Sequence, residues 1–305
     1  TLLDRPPSPS LSASADVDLL STTEQIRAAS SEALLDAAST AALRAFFAEW
    51  MELDQLDLVA KDPELYPQWN DTLKQAMADE VLRVFEATVA QDADLRSLLT
   101  TTDGYLTPGL ASLYGVADPG DPGAVVALPA ERAGLLTRAA FLAANAHSSL
   151  TSPTHRGKYV RSRLLCKDVS PPPAGVVTNL DDADFSGTLR DQLESHVTDE
   201  QCAGCHNDMD PIGFAFENYG PLGEWRETDR GFPVDATAEL DGVFLEGGAA
   251  MGAAVAAHDR LPACIAANAW SHVLGHLRQQ PESEQLDVAT DALQDAGFRL
   301  SELLL

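Results

Sequence analysis

The densest chemistry in this 305-residue chain lies in the five residues Cys202-Ala203-Gly204-Cys205-His206. Two thiols three positions apart, followed at once by an imidazole, form the c-type haem attachment pattern. Both sulfurs add to the haem vinyl groups, and the histidine ligates the iron. Two other readings use the same residue types. A structural zinc site needs a second pair of soft ligands at finger-like spacing, yet the remaining cysteines, Cys166 and Cys264, stand alone and distant. A thioredoxin-like dithiol needs a preceding strand in a βαβ setting, which the flanking residues do not offer. With four cysteines and seven histidines in the whole chain, the expectation is one covalent haem c held by Cys202 and Cys205, with His206 as the proximal iron ligand.

Covalent haem attachment takes place outside the bacterial cytoplasm, where disulfides also persist. A periplasmic, extracellular or cell-surface location is therefore expected. Cys166 and Cys264 form the candidate disulfide, with two buried thiols as the alternative. The chain holds 47 acidic against 20 basic residues, a formal charge of −27, which excludes nucleic acid as a partner. Lysine occurs only at Lys61, Lys74, Lys158 and Lys167, too few for a ring that docks an acidic redox partner. A redox partner protein would be basic or would dock through apolar contact, unless the acidity serves only solubility. No apolar run approaches the roughly 20 residues that span a bilayer, so no transmembrane segment is expected. No leader precedes Thr1, so a secretion signal would have been removed or would lie outside this sequence.

The elements that must position the motif read as mainly α. Residues 1–24, with Pro6, Pro7, Pro9 and many serines, read as an extended arm. A helical domain follows over 25–165, carried by Leu34, Leu43, Phe46, Phe47, Trp50 and Met51 at helical spacing, then by a run from Pro63 through Trp69, Leu73, Met77, Val81 and Phe85. Further helices are expected at 110–114, at 129–146 and from Pro153 towards Leu164. Ser170-Pro171-Pro172-Pro173 marks a stiff connector over 166–185. The remainder, 186–305, reads as a cytochrome c-like haem domain. In it a helix from Ser186 precedes a short capped helix with the motif, 207–227 is loop, and Asp241-Gly242 turns a small β-hairpin. Helices over 261–277 and from Pro281 to about Leu303 close the chain.

Cys202-Ala203-Gly204-Cys205-His206-Asn207-Asp208-Met209-Asp210-Pro211-Ile212-Gly213-Phe214, with Glu217-Asn218-Tyr219 and Gly223-Glu224-Trp225-Arg226, resembles the planctomycete- and myxobacterium-type cytochrome c-like proteins, built from adjoining domains of unknown function. The likeness extends to Phe46-Phe47-Ala48-Glu49-Trp50, Leu113-Tyr114-Gly115, Arg132-Ala133-Gly134-Leu135-Leu136, Ser152-Pro153 with Arg156-Gly157, and Leu164-Leu165-Cys166, covering nearly the whole chain from about residue 30. It implies a single covalent haem on a mainly helical protein and names no substrate. Gly220 departs from the usual aspartate, and His272 and His276 from the usual tyrosine and arginine. The family pattern extends past both ends of this chain, implying a processed or partial protein.

Function turns on the iron's sixth position, because a closed site moves electrons and an open one binds and activates small molecules. Met251 stands between the motif and the long closing helix, the order in which class I cytochromes place a distal methionine, but also suits core packing. His196 and Met209 rank beside it, and Met209 requires the chain to fold sharply back. His272 and His276 come next, then an open site or a ligand from the first domain such as His147 or His155. Arg226 is a candidate propionate partner and Trp225 a candidate haem-edge contact. Asp210-Pro211 is expected to turn the chain so that a backbone carbonyl accepts the His206 N–H. Asp181, Asp182, Asp184, Asp235 and Asp241 lack calcium-loop spacing and read as a solvated face. The leading expectation is a monohaem electron-transfer protein within a multi-subunit or filamentous assembly. The alternatives are a peroxidase- or oxygenase-like haem enzyme with an open distal site, and an assembly subunit with a haem in an electron path.

Overall fold

The computed structural model describes residues 8–34, 37–169, 186–196, 200–275 and 283–303. In chain order the helices are α1 (Pro9–Asp16), α2 (Thr23–Leu34), α3 (Ala37–Trp50), α4 (Gln55–Leu58), α5 (Asp71–Ala90), α6 (Pro108–Tyr114), α7 (Ala139–Ala144), α8 (Pro153–Tyr159), α9 (Leu189–His196), α10 (Glu200–Gly213), α11 (Gly247–Ala256), α12 (Leu261–Leu274), α13 (Ser283–Asp295) and α14 (Leu300–Leu303). The strands β1 (Asp103–Gly104), β2 (Val126–Ala127), β3 (Thr228–Asp229), β4 (Phe232–Pro233), β5 (Thr237–Leu240) and β6 (Val243–Glu246) pair as three antiparallel ribbons. The fold is mainly α with small β-hairpins, as the periodicity indicates.

Two compact units make up the chain: Thr1–Met51, Leu82–Ser97 and Pro262–Leu305 form the first, and Glu52–Val81 and Leu98–Leu261 the second. In the first, the rings of Phe47 and Phe85 stack at 4.1 Å and Trp50 meets Phe47 edge-on. His272 Nδ1 lies 2.6 Å from Glu49 Oε2 in the same unit.

The second unit buries an ionic network as well as apolar side chains. Glu80 and Arg138 are fully enclosed and lie 3.2 Å apart. Tyr114 donates its hydroxyl to Glu80, and Arg138 donates to the Thr101 and Asp103 carbonyls. Burial raises the Glu80 carboxyl against the opposing pull of Arg138 and Tyr114. Such charges persist inside a protein because each finds its partners, and removing one partner strands the other.

Several local expectations change. Residues 9–16 are helical: Ser8 Oγ accepts the Leu11 N–H, Pro9 opens the helix where its missing N–H costs nothing, and no side chain of α1 is buried. The run from Pro63 becomes helical only at Asp71, after Asn70 caps it by accepting the Leu73 N–H. The helix expected over 129–146 is broken into turns and α7. Gly134 adopts φ +82°, and a Cβ there would overlap the Leu99 carbonyl, so no other residue fits. The last helix is divided at Gly297, φ +69°, and α12 ends before Gly275, φ +70°. The hairpin forms as expected: Leu240 pairs with Val243, and Asp241 and Gly242 both take positive φ, the two-residue turn that matches strand twist. The connector prolines fall outside the described residues.

Candidate cofactor site

The motif lies on α10, in the second unit. Cys202 and Cys205 are half-buried thiols without a disulfide, one helical turn apart and therefore on one face. His206 follows, also half-buried. Its Nδ1 lies 2.8 Å from Oδ2 of Asp210, the residue one turn further on. An ionised carboxylate only accepts, so Nδ1 carries the proton and Nε2 is the nitrogen suited to a metal. The Asp210 hydrogen bond raises the His206 imidazole above its ordinary value, against burial.

The expected acceptor for His206 was a backbone carbonyl in a turn, and the structure supplies a carboxylate instead. The cause is that 207–213 is helix, not loop: α10 runs through Pro211, and helical spacing brings Asp210 beneath His206. Asp210 is 2% exposed. Its other oxygen accepts the Thr154 hydroxyl at 2.7 Å.

Thr154 reaches it from α8, which packs antiparallel on α10. Glycines make the close approach possible. A Cβ at Gly157 would overlap the Met209 carbonyl, and one at Gly213 would overlap the Pro153 carbonyl. Arg161 Nε donates to the Asp208 carbonyl at 2.8 Å, and its guanidinium pairs with Asp241 of the hairpin. Below the motif, Leu189 and Leu193 of α9 cluster with Phe214.

The other nominated residues fall in different settings. Arg226 binds the Glu217 carbonyl and carboxylate, the Asp229 carboxylate and Thr151, which engages most of its guanidinium N–H donors. Asp229 also accepts the Leu189 N–H at 2.6 Å, fixing the start of α9. Trp225 is 43% exposed, with its ring edge-on to Tyr219 at 5.4 Å. Met251 is fully buried on α11, where Gly248 meets Phe216 and Tyr219 and Gly252 meets the Leu99 carbonyl. Met209 is buried on α10 itself. The helix continues past it to Gly213, so the chain does not fold back there. The His196 side chain and His276 lie outside the described residues.

His147 and His155, with ring centroids 5.1 Å apart, line a cavity of about 440 Å³ together with Glu52, Lys158, Tyr159 and Ser162. On α8 the cavity takes positions 155, 158 and 159, whereas 153, 154 and 157 meet α10. These are opposite faces of one helix, so this histidine pair points away from His206. At position 220, the place a longer side chain would occupy is filled by the Glu224 carboxylate.

Cys166 and Cys264 are disulfide-bonded. Among the described residues no group of three or more His, Cys, Asp or Glu side chains is arranged to hold a bare metal ion. A haem needs no such group, since its own ring supplies four nitrogens. The donor set of two thiols on one face and one oriented imidazole fits it. Sequence reading missed Thr154, the carboxylate role of Asp210 and the two contact glycines. The His-x-x-x-Asp spacing was the available signal, provided the helix was allowed to cross Pro211.

Residues 132–229 match the family model described as PSCyt3, protein of unknown function (DUF1588), and residues 1–116 match that described as PSD4, protein of unknown function (DUF1592). The first match contains the motif, Asp210 and Thr154. No curated protein matches, and no solved structure matches.

Proposed function

We propose that the chain is a monohaem c-type cytochrome that carries electrons outside the cytoplasm, within a larger assembly. One observation carries the reading: Cys202 and Cys205 share a face of α10, and the adjacent His206 is held by Asp210 in the tautomer that offers Nε2 to iron. Cys202 and Cys205 would fix the haem covalently, and His206 would be its proximal ligand. Held by these residues, a haem would supply one-electron redox chemistry. The chain's own contribution is to anchor the cofactor and orient the imidazole.

Other features support the reading. A disulfide is at home in an oxidising compartment, and no described helix is long and apolar enough to cross a membrane. The acidic charge favours a basic redox partner or one that docks through apolar contact. The name PSCyt3 on the family matching 132–229 agrees with a cytochrome.

A second reading, a haem enzyme with an open distal site, draws on the same carboxylate beneath His206, because an electron-rich proximal ligand favours activation of a bound molecule. Carbon monoxide separates the two. The electron-carrier reading expects the reduced protein to bind it slowly or not at all; rapid, stoichiometric binding would transfer the assignment to the enzyme.

A further inference from the structure

We infer that Asp210 is a positioning residue that would make His206 a strongly donating iron ligand and so hold the haem at a low reduction potential, with Thr154 orienting that carboxylate and tempering its charge. This rests on the haem reading above and goes beyond it by stating what sets the potential. The geometry is a three-member relay: Thr154 Oγ1 donates to Asp210 Oδ1 at 2.7 Å, and Asp210 Oδ2 faces His206 Nδ1 at 2.8 Å.

A neutral carbonyl would merely orient the imidazole. A carboxylate also draws on the Nδ1 proton, leaving more electron density at Nε2, which stabilises ferric over ferrous iron. Burial strengthens the effect, for Asp210 is 2% exposed and its field is poorly screened. Among the described residues the hydrogen bonds of the Asp210 carboxylate run to Thr154 and His206, and no arginine or lysine forms an ion pair with it. Arg161 and Lys167 turn instead to Asp208 and Asp241. Thr154 orients the carboxylate from a second helix, which Gly157 and Gly213 bring into backbone contact with α10. The relay is therefore held by tertiary structure and not by α10 alone.

The test is a spectroelectrochemical titration of the whole haem-loaded protein against Asp210→Asn, Thr154→Val and Thr154→Ser. Asp210→Asn should raise the reduced-to-oxidised ratio at fixed applied potential about tenfold, equivalent to about 59 mV for a one-electron couple. Thr154→Val takes away a donor that withdraws charge from the Asp210 carboxylate and should lower the ratio by about twofold to threefold, while Thr154→Ser should keep the original value. A merely structural role would lower stability without this ordered shift. If wild type carries no covalent haem, the haem reading itself fails. If all four proteins carry haem at equal potentials, the relay is overturned and the haem reading stands. Should Asp210→Asn lose its haem, the Val and Ser variants decide: equal potentials overturn the relay, and a lowered value in Val alone upholds it.

Discussion

The two halves of α10 are built for opposite purposes. From Met209 to Gly213 the helix is sunk against α8, with backbone in contact at two glycines and Asp210 enclosed. From Cys202 to His206 it is half-buried, and Gly204 between the thiols faces open space. The second half fixes where the first half points. On the proposed haem reading, the groups that would accept a large cofactor stay accessible, and their orientation is inherited from packing one or two turns away. Just beyond α10, Arg156 extends the rigid half: it is fully buried and donates to the carbonyls of Leu142, Phe216, Tyr219 and Gly220, close to Glu217.

Substitution in the rigid half should cost the most. Arg156→Leu removes one donor from each of four carbonyls and leaves Glu217 with less compensation, and should lower unfolding free energy in urea by about 3–5 kcal/mol. A loss below that of an ordinary surface change would show the buried half is not the anchor. Gly157→Ala drives a methyl group into the Met209 carbonyl and should cost about 1–3 kcal/mol. It should also disturb the His206–Asp210 contact, visible in the imidazole NMR signals of the haem-free protein.

In the accessible half the effects on stability should be small. Cys202→Ser with Cys205→Ser should change the unfolding free energy of the haem-free protein by no more than about 0.5 kcal/mol, while abolishing covalent cofactor attachment. A larger loss would mean that the thiols pack as core. Smallest of all, alkylation of unreduced, haem-free protein should label Cys202 and Cys205 and leave stability unchanged. Label on Cys166 or Cys264 would contradict their disulfide.

What could be read from the residues was what repeats locally or is chemically rare. Helical spacing from Leu43 to Met51, the Asp241-Gly242 turn and the Cys202–His206 pattern all announce themselves within a few positions, and Cys166 and Cys264 stand out as the two remaining cysteines. The helix through Pro211 did not, because a proline reads as a breaker unless tertiary packing holds the chain around it. The place of Arg156 was equally hidden. A fully buried guanidinium is tolerable only if distant residues supply acceptors, and most of its partners stand about 60 positions along the chain. The partners of Arg226 were hidden for the same reason: an arginine suited to a propionate is just as suited to Glu217 and Asp229, and here it bonds both.

The central claim is that the open half of α10 carries a covalent haem. The most direct measurement is the intact mass of the denatured protein, purified from cells competent in extracytoplasmic haem attachment, beside the Cys202→Ser/Cys205→Ser variant. The account predicts a chain heavier by one haem, with the increment absent from the variant and the colour retained on the polypeptide after acidified-solvent extraction. A bare polypeptide mass in the wild type, with any colour leaving into the solvent, would contradict it.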